Sequence, residues 1–157
     1  MKTYSLKLML FLVFVWLVFF AMQSRSEGGN APLEKGTVRF YEQNVEFQVE
    51  IVKTEKQRAY GLMYRPVMAL NEGMLFIFDR QANQRVWMKN TLLALDVIFL
   101  SKQGKIVSIL QSLKPCEQKE CKVYDSIKKA KYMLELNAGV VEKSGLKLGQ
   151  TFAFDNQ

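Results

Sequence analysis

Asp96 stands inside an otherwise apolar run, Leu95-Asp96-Val97-Ile98-Phe99-Leu100, and few folds tolerate that arrangement. An unpaired buried charge costs several kcal/mol or shifts its pKa until it neutralises, so the chain must bring Asp96 a partner. Just upstream, Trp87-Met88-Lys89-Asn90-Thr91 sets an aromatic ring, a thioether, an ammonium and an amide side by side. Strand alternation puts Trp87 and Lys89 on one side and Met88 on the other, while Asp96 shares its side with Ile98 and Leu100. Two readings are open. In one, Trp87 floors a pocket whose edge carries Lys89, Asn90 and Asp96, and a small polar or anionic ligand stacks there. In the other, a buried Lys–Asp or Arg–Asp pair fixes strand register, and Asn90 and Thr91 satisfy a turn. Arg65 has the same two faces. Pro66 keeps it out of helical geometry, so its planar fork serves a carboxylate or phosphate ligand, or pairs with Asp96 or Glu72.

The rest of the pattern predicts many short strands. Val45, Phe47, Val49 and Ile51 alternate with Glu46, Gln48 and Glu50, which describes a strand over Val45–Val52 with one wet face. Further strands are expected at Thr37–Tyr41, Met74–Phe78, Arg85–Met88, Leu93–Leu100, Lys105–Gln111, Lys131–Leu136 and Thr151–Phe154. Ser101-Lys102-Gln103-Gly104 gives a hairpin turn. Thr54-Glu55-Lys56-Gln57 fits a capping box opening a short helix that Gly61 closes. A second short helix is expected over Gly139–Ser144, with Asn137 as its cap. The sum is an α+β domain, mostly antiparallel β, built as a twisted sheet or partly closed barrel with two short helices.

Before this domain, Lys2 and Lys7 precede a 15-residue apolar run, Leu8 to Met22, followed by polar residues. That is the pattern of an export signal, and the run is short beside the roughly 20 residues of a membrane span. Residues 1–23 are therefore read as a signal peptide or a retained N-terminal anchor, residues 24–36 as a flexible linker, and residues 37–157 as one globular domain. The expected location is periplasmic or secreted, or tethered to the inner membrane by the N-terminal segment alone. Cys116 and Cys121, the only cysteines, then close a small stapled loop, as an oxidising compartment permits.

Composition narrows the chemistry. The chain has no histidine, which removes imidazole-based triads, histidine metal sites and histidine general bases. The net charge of +7 is modest and spread out. Its one dense basic cluster, Lys128, Lys129 and Lys131, has no aromatics threaded through it, so nucleic acid is not an expected partner. Five of the eight methionines follow the leader, too scattered for a soft-metal site and suited to filling a core. No metal and no cofactor are expected. Glu72 and Glu135 are the carboxylates on which a hydrolase or lyase acting on envelope carbohydrate would rest. Alternation assigns Glu72 to a turn and Glu135 to the polar side of its strand.

Several blocks also carry a resemblance. Gly61-Leu62-Met63-Tyr64-Arg65, Glu72-Gly73-Met74-Leu75-Phe76, Trp87-Met88-Lys89-Asn90-Thr91 and Leu95-Asp96 follow one another in the order of the family called domain of unknown function 192. Pro115-Cys116 and Leu134-Glu135-Leu136-Asn137-Ala138-Gly139 continue the match, which spans about residues 45–154. The resemblance implies a small exported or membrane-attached β-rich domain and no established activity. The reading favoured is a non-enzymatic binding or accessory module for a small polar or anionic ligand or an envelope component. Arg65, Trp87, Lys89, Asn90 and Asp96 would line its pocket. A carboxylate-dependent enzyme and a purely structural envelope protein are the alternatives.

Overall fold

Alternating apolar residues build most of the strands, and a doubly covered sheet takes the continuous apolar runs. The structure, a computed structural model, describes residues 32–156. The leader and most of the expected linker lie outside the described residues. The elements are β1 (Glu34–Phe40), a 3-10 turn (Tyr41–Gln43), β2 (Val45–Val52), α1 (Glu55–Tyr60), β3 (Glu72–Ala82), β4 (Arg85–Trp87) and β5 (Leu95–Leu100). They continue with β6 (Ile106–Leu113), β7 (Val123–Asp125), β8 (Ala130–Asn137), α2 (Val140–Lys143) and β9 (Ala153–Asn156).

Seven strands form one sheet in the order β6-β5-β8-β3-β2-β1-β9, and β4 pairs with β7 in a separate two-stranded ribbon. Every neighbouring pair is antiparallel except β2 and β3. A parallel pair needs a crossover connection, and α1 lies within it. The fold is thus α+β and mostly antiparallel, as the sequence pattern indicates. The sheet stays open and is not a barrel: β6 and β9 are its edges and do not pair, although the segments ahead of them meet at the bridge Lys105↔Thr151.

Both faces of the central strands are covered. On one, Leu75, Ile98, Leu100, Leu134 and Leu136 pack with Phe40, Phe47, Val49 and Ile51 under Val140 and Val141 of α2. On the other, Met74, Phe76, Val97, Phe99 and Met133 pack with Val52, Leu62, Val86 and Met88. This explains why β5, wedged between β6 and β8, is buried at all six positions. A strand covered on both sides loses alternation and reads as a continuous apolar run.

Local signals mostly hold. The Thr54 side chain accepts from Gln57 N and the Gln57 side chain returns to Thr54 N, the two halves of the capping box. Gly61 closes α1 at φ 48°. A Cβ there would sit 3.3 Å from the Phe76 ring, so glycine is needed for space as well as conformation. Several expectations differ, and β3 is one: it runs to Ala82 from Glu72, which was expected in a turn. β1 begins at Glu34, earlier than Thr37 and inside the residues read as linker. β4 joins the small ribbon with β7, an element too short for the pattern to reveal. β9 starts at Ala153 and not at Thr151. Asn137 does not cap α2: the N-cap is Gly139 at φ 85° with no side-chain bond, because Asn137 Nδ2 donates to the carbonyls of Met68 and Ala69. Among the described residues, no helix is long and apolar enough to cross a membrane.

Candidate functional site

Asp96 finds its partner in the backbone. Its side chain is fully buried, with Oδ1 accepting from Ser112 N at 2.8 Å and Oδ2 from Val141 N at 2.9 Å. Val141 is in the first turn of α2, whose own N-cap is a glycine. Asp96 therefore supplies from β5 the acceptor that a capping side chain would give. Ser112 adopts φ 55°, a conformation this bond helps to hold. Neither Lys89 nor Arg65 reaches Asp96. Arg65 instead forms a half-buried ion pair with Glu50, and its expected alternative, Glu72, accepts from Ala69 N. The register-fixing pair is thus replaced by two main-chain hydrogen bonds.

Trp87 and Lys89 do share a side, as alternation requires. Lys89 Nζ lies over the Trp87 ring, 5.2 Å from its centroid, while Met88 points into the core. They form part of the mouth of a cavity of about 250 Å³ on the second face of the sheet. α1 contributes Glu55, Arg58 and Tyr60 to it, and β4 contributes Arg85, Val86 and Trp87. Phe76 and Phe78 of β3 and Met133 and Glu135 of β8 make the floor. Arg58 is committed to the carbonyls of Lys53 and Ile77 and to Asp79. Among the described residues, Arg85 and Lys89 have no ion-pair partner.

Glu135 is the unusual member. β8 is flanked by β3 and β5, so Glu135 sits in register with Met74 on one side and Val97 on the other. It is 5 % exposed, and among the described residues no group hydrogen-bonds its carboxyl. Burial pushes that carboxyl from its ordinary value of 4.5 up to about 8, because the charged form loses most of its hydration and gains no protein donor. At neutral pH it is a protonated acid facing a cavity with cations at its mouth. The expectation that Glu135 lies on a polar strand face is overturned: both faces of β8 are covered.

The remaining sequence candidates lie elsewhere. Arg65 and Glu72 line a separate polar cavity with Glu50. Asn90 is a turn residue at φ 55°, its carbonyl accepting from Tyr64 N. Cys116 and Cys121 form the expected disulfide, with Cα atoms 5.8 Å apart. The stapled loop abuts the site: Cys116 bridges Lys89, and Cys116 N donates to the Met88 carbonyl. A disulfide of this kind accords with an oxidising, exported environment.

Residues 37–154 match the family model for domain of unknown function 192, described as "Uncharacterized ACR". The chain belongs to this family. Two solved structures are similar in fold. One is a candidate transcription regulator from Sinorhizobium meliloti 1021, 34 % identical with a TM-score of 0.72, the match covering 80 % of this chain and 98 % of that one. The other is a protein of unknown function from Novosphingobium aromaticivorans DSM 12444, 24 % identical with a TM-score of 0.70, covering 81 % and 89 %. No curated protein matches significantly. The sequence blocks that carry the family resemblance converge on the Glu135 cavity. Gly61, Leu62 and Met63 come from the first, Phe76 from the second, Trp87, Lys89 and Thr91 from the third, and Glu135 from the last.

Of the five expected site residues, Trp87 and Lys89 line this cavity, at its mouth and not at the floor expected of Trp87, and Glu135 is not among the five. The signal for Glu135 was present. Met133-Leu134-Glu135-Leu136 is apolar on both sides of the acid, the same pattern that singled out Asp96. Arg58 and Arg85 carried no local signal, since only the crossover and the ribbon bring them to the mouth.

Proposed function

We propose that this protein is an exported binding or accessory module that takes a small polar or anionic ligand in the cavity between α1 and β4. The observation that carries the reading is Glu135, a buried carboxyl without a protein partner, beneath a mouth that holds the unpaired cations Arg85 and Lys89. Folding buries such a group at a cost unless something else engages it. Apolar walls with a few convergent polar groups are the usual make-up of a ligand site. In this reading Trp87 gives the mouth an aromatic side, with Lys89 over its ring, and Lys89 and Arg85 are the donors. Arg65, Asn90 and Asp96 shape the surroundings through Glu50, the Tyr64 turn and the α2 cap.

A thermal-shift panel of sugars, organic acids and phosphates tests this. Stabilisation by anionic compounds is expected, about 2.7 kcal/mol at a hundredfold excess over Kd, and weakened in Arg85→Ala/Lys89→Ala protein. Absence of any stabilising compound would leave the scaffold reading in its place.

Glu135 also favours a second reading, in which it is a general acid for a lyase or hydrolase, since a carboxyl protonated at neutral pH suits that role. Glu72 does not complete a catalytic pair because it lines the other cavity. Turnover abolished by Glu135→Gln with ligand binding retained would identify the enzyme. The regulator description of the Sinorhizobium protein is not extended to this chain. Lys131 of the basic cluster is engaged by the carbonyls of Phe78 and Asp79, and the two helices of six and four residues are too short for a recognition helix.

A further inference from the structure

The Glu135 carboxyl restricts what kind of ligand can fill the cavity. In its neutral form a carboxyl donates one hydrogen bond and accepts others. A ligand that reaches the floor must therefore present an acceptor to that proton, or else leave the acid unsatisfied at a desolvation cost. The opposite arrangement, a cationic ligand that ionises Glu135, must pass Arg85 and Lys89. Arg58 is paired with Asp79 and Asp125 stands opposite Arg85 across the ribbon, but among the residues lining the cavity Arg85 and Lys89 outnumber the exposed carboxylate of α1, Glu55. Like-sign approach into a low-dielectric cleft is unfavourable, whereas an anion is drawn in.

Around Glu135 the lining is apolar, formed by Phe76, Phe78 and Met133 of the floor with Leu62 and Val86 at the sides. The volume of about 250 Å³ equals roughly eight waters at about 30 Å³ each. It suits a short organic molecule. Resting on the binding reading above, we propose that the cavity selects small organic acids with a second, inner oxygen. Arg85 and Lys89 hold the carboxylate, a short apolar body crosses the phenylalanines, and an inner carbonyl or hydroxyl oxygen accepts the Glu135 proton.

Binding is then linked to a proton. Above the pH at which Glu135 ionises, the floor loses its donor and gains a negative charge that repels the inner oxygen. Charged and titratable groups facing the cavity come from α1 (Glu55, Arg58, Tyr60), from β4 (Arg85), from the segment after it (Lys89) and from β8. Of these only Glu135 sits at the floor.

Calorimetry with 4-oxopentanoate and 5-oxohexanoate against pentanoate and hexanoate isolates the inner oxygen, since each pair differs only in a carbonyl that replaces one methylene. Wild-type protein at pH 6 is expected to prefer the keto acids by about three- to tenfold, the yield of one neutral hydrogen bond. The preference is expected to vanish by pH 9.5, and at every pH in Glu135→Leu. Glu135→Gln, which keeps an N–H donor but cannot ionise, is expected to retain the preference with a flat pH profile. Equal affinity for both members of each pair, unchanged across pH and in Glu135→Leu, would overturn the role of Glu135 while leaving anion binding intact. Failure of all four acids to bind wild type at any pH would overturn the binding reading and this inference with it.

Discussion

A single buried acid can serve as architecture or as a site, and this chain contains both cases one strand apart. Asp96 and Glu135 occupy adjacent strands, but their side chains leave opposite faces of the sheet. Asp96 meets two main-chain donors, so its charge is satisfied. Glu135 meets none, so its proton stays. Removing each should have opposite consequences. Asp96→Ala leaves the buried Val141 N–H without its acceptor, at about 1–3 kcal/mol, while Ser112 N belongs to an exposed residue, and denaturant unfolding is expected to show a loss of roughly 1–3 kcal/mol. Asp96→Asn keeps one acceptor and should lose less. Arg65→Ala, which breaks a half-buried pair with Glu50, should cost about 1 kcal/mol or less. A large Arg65 effect matching that of Asp96 would contradict the separate placement of the two. The sequence showed that Asp96 needed a partner but not which one, because the partner is backbone on α2 and near the end of β6, invisible to side-chain pattern.

At the scale of elements, what was legible depended on the range of the interactions that build each one. Strand β2 was read with its observed bounds because its alternation reports one covered face. The α1 cap was read because the capping box lies within four residues. The α2 cap was misassigned to Asn137 because its acceptor comes from 45 residues away. The β4–β7 ribbon was missed because three residues of β7 make no period, and its pairing with β4 is wholly non-local. That ribbon holds Arg85 and Trp87 over the cavity, and the Cys116–Cys121 loop holds the segment just beyond it. Opening the staple by Cys116→Ser/Cys121→Ser should cost about 2 kcal/mol in the chain-entropy model. Local effects are expected to exceed that global loss near the site. Hydrogen exchange at Cys116 N, whose acceptor is the Met88 carbonyl, should accelerate more than exchange in β5. Uniform acceleration across the sheet would mean that the loop stabilises the chain without ordering the mouth.

For the whole molecule, the protonated floor of the cavity ties stability to pH. The sheet that covers β8 on both sides raises Glu135 from 4.5 to about 8. Between those values the folded chain holds a proton that the unfolded chain has released. Stability therefore falls as pH rises: the contribution is intact below about 4.5, declines through the interval, and is gone above about 8. At 1.36 kcal/mol per pH unit, the interval corresponds to a loss on the order of 5 kcal/mol, a large share of a typical domain's stability. Glu135→Gln removes the linkage. Its unfolding free energy should lie within about 1 kcal/mol of wild type at pH 5 and exceed it by several kcal/mol at pH 9. Parallel curves for the two proteins from pH 5 to 9 would show that the carboxyl is already ionised in the folded chain. A plain hydrophobic residue at position 135 would fill the same space without this dependence. What the acid adds is a donor at the bottom of a cavity, present only while it stays protonated, and a ligand acceptor that engages that proton should raise the pH at which the decline ends, its onset being set by the unfolded chain.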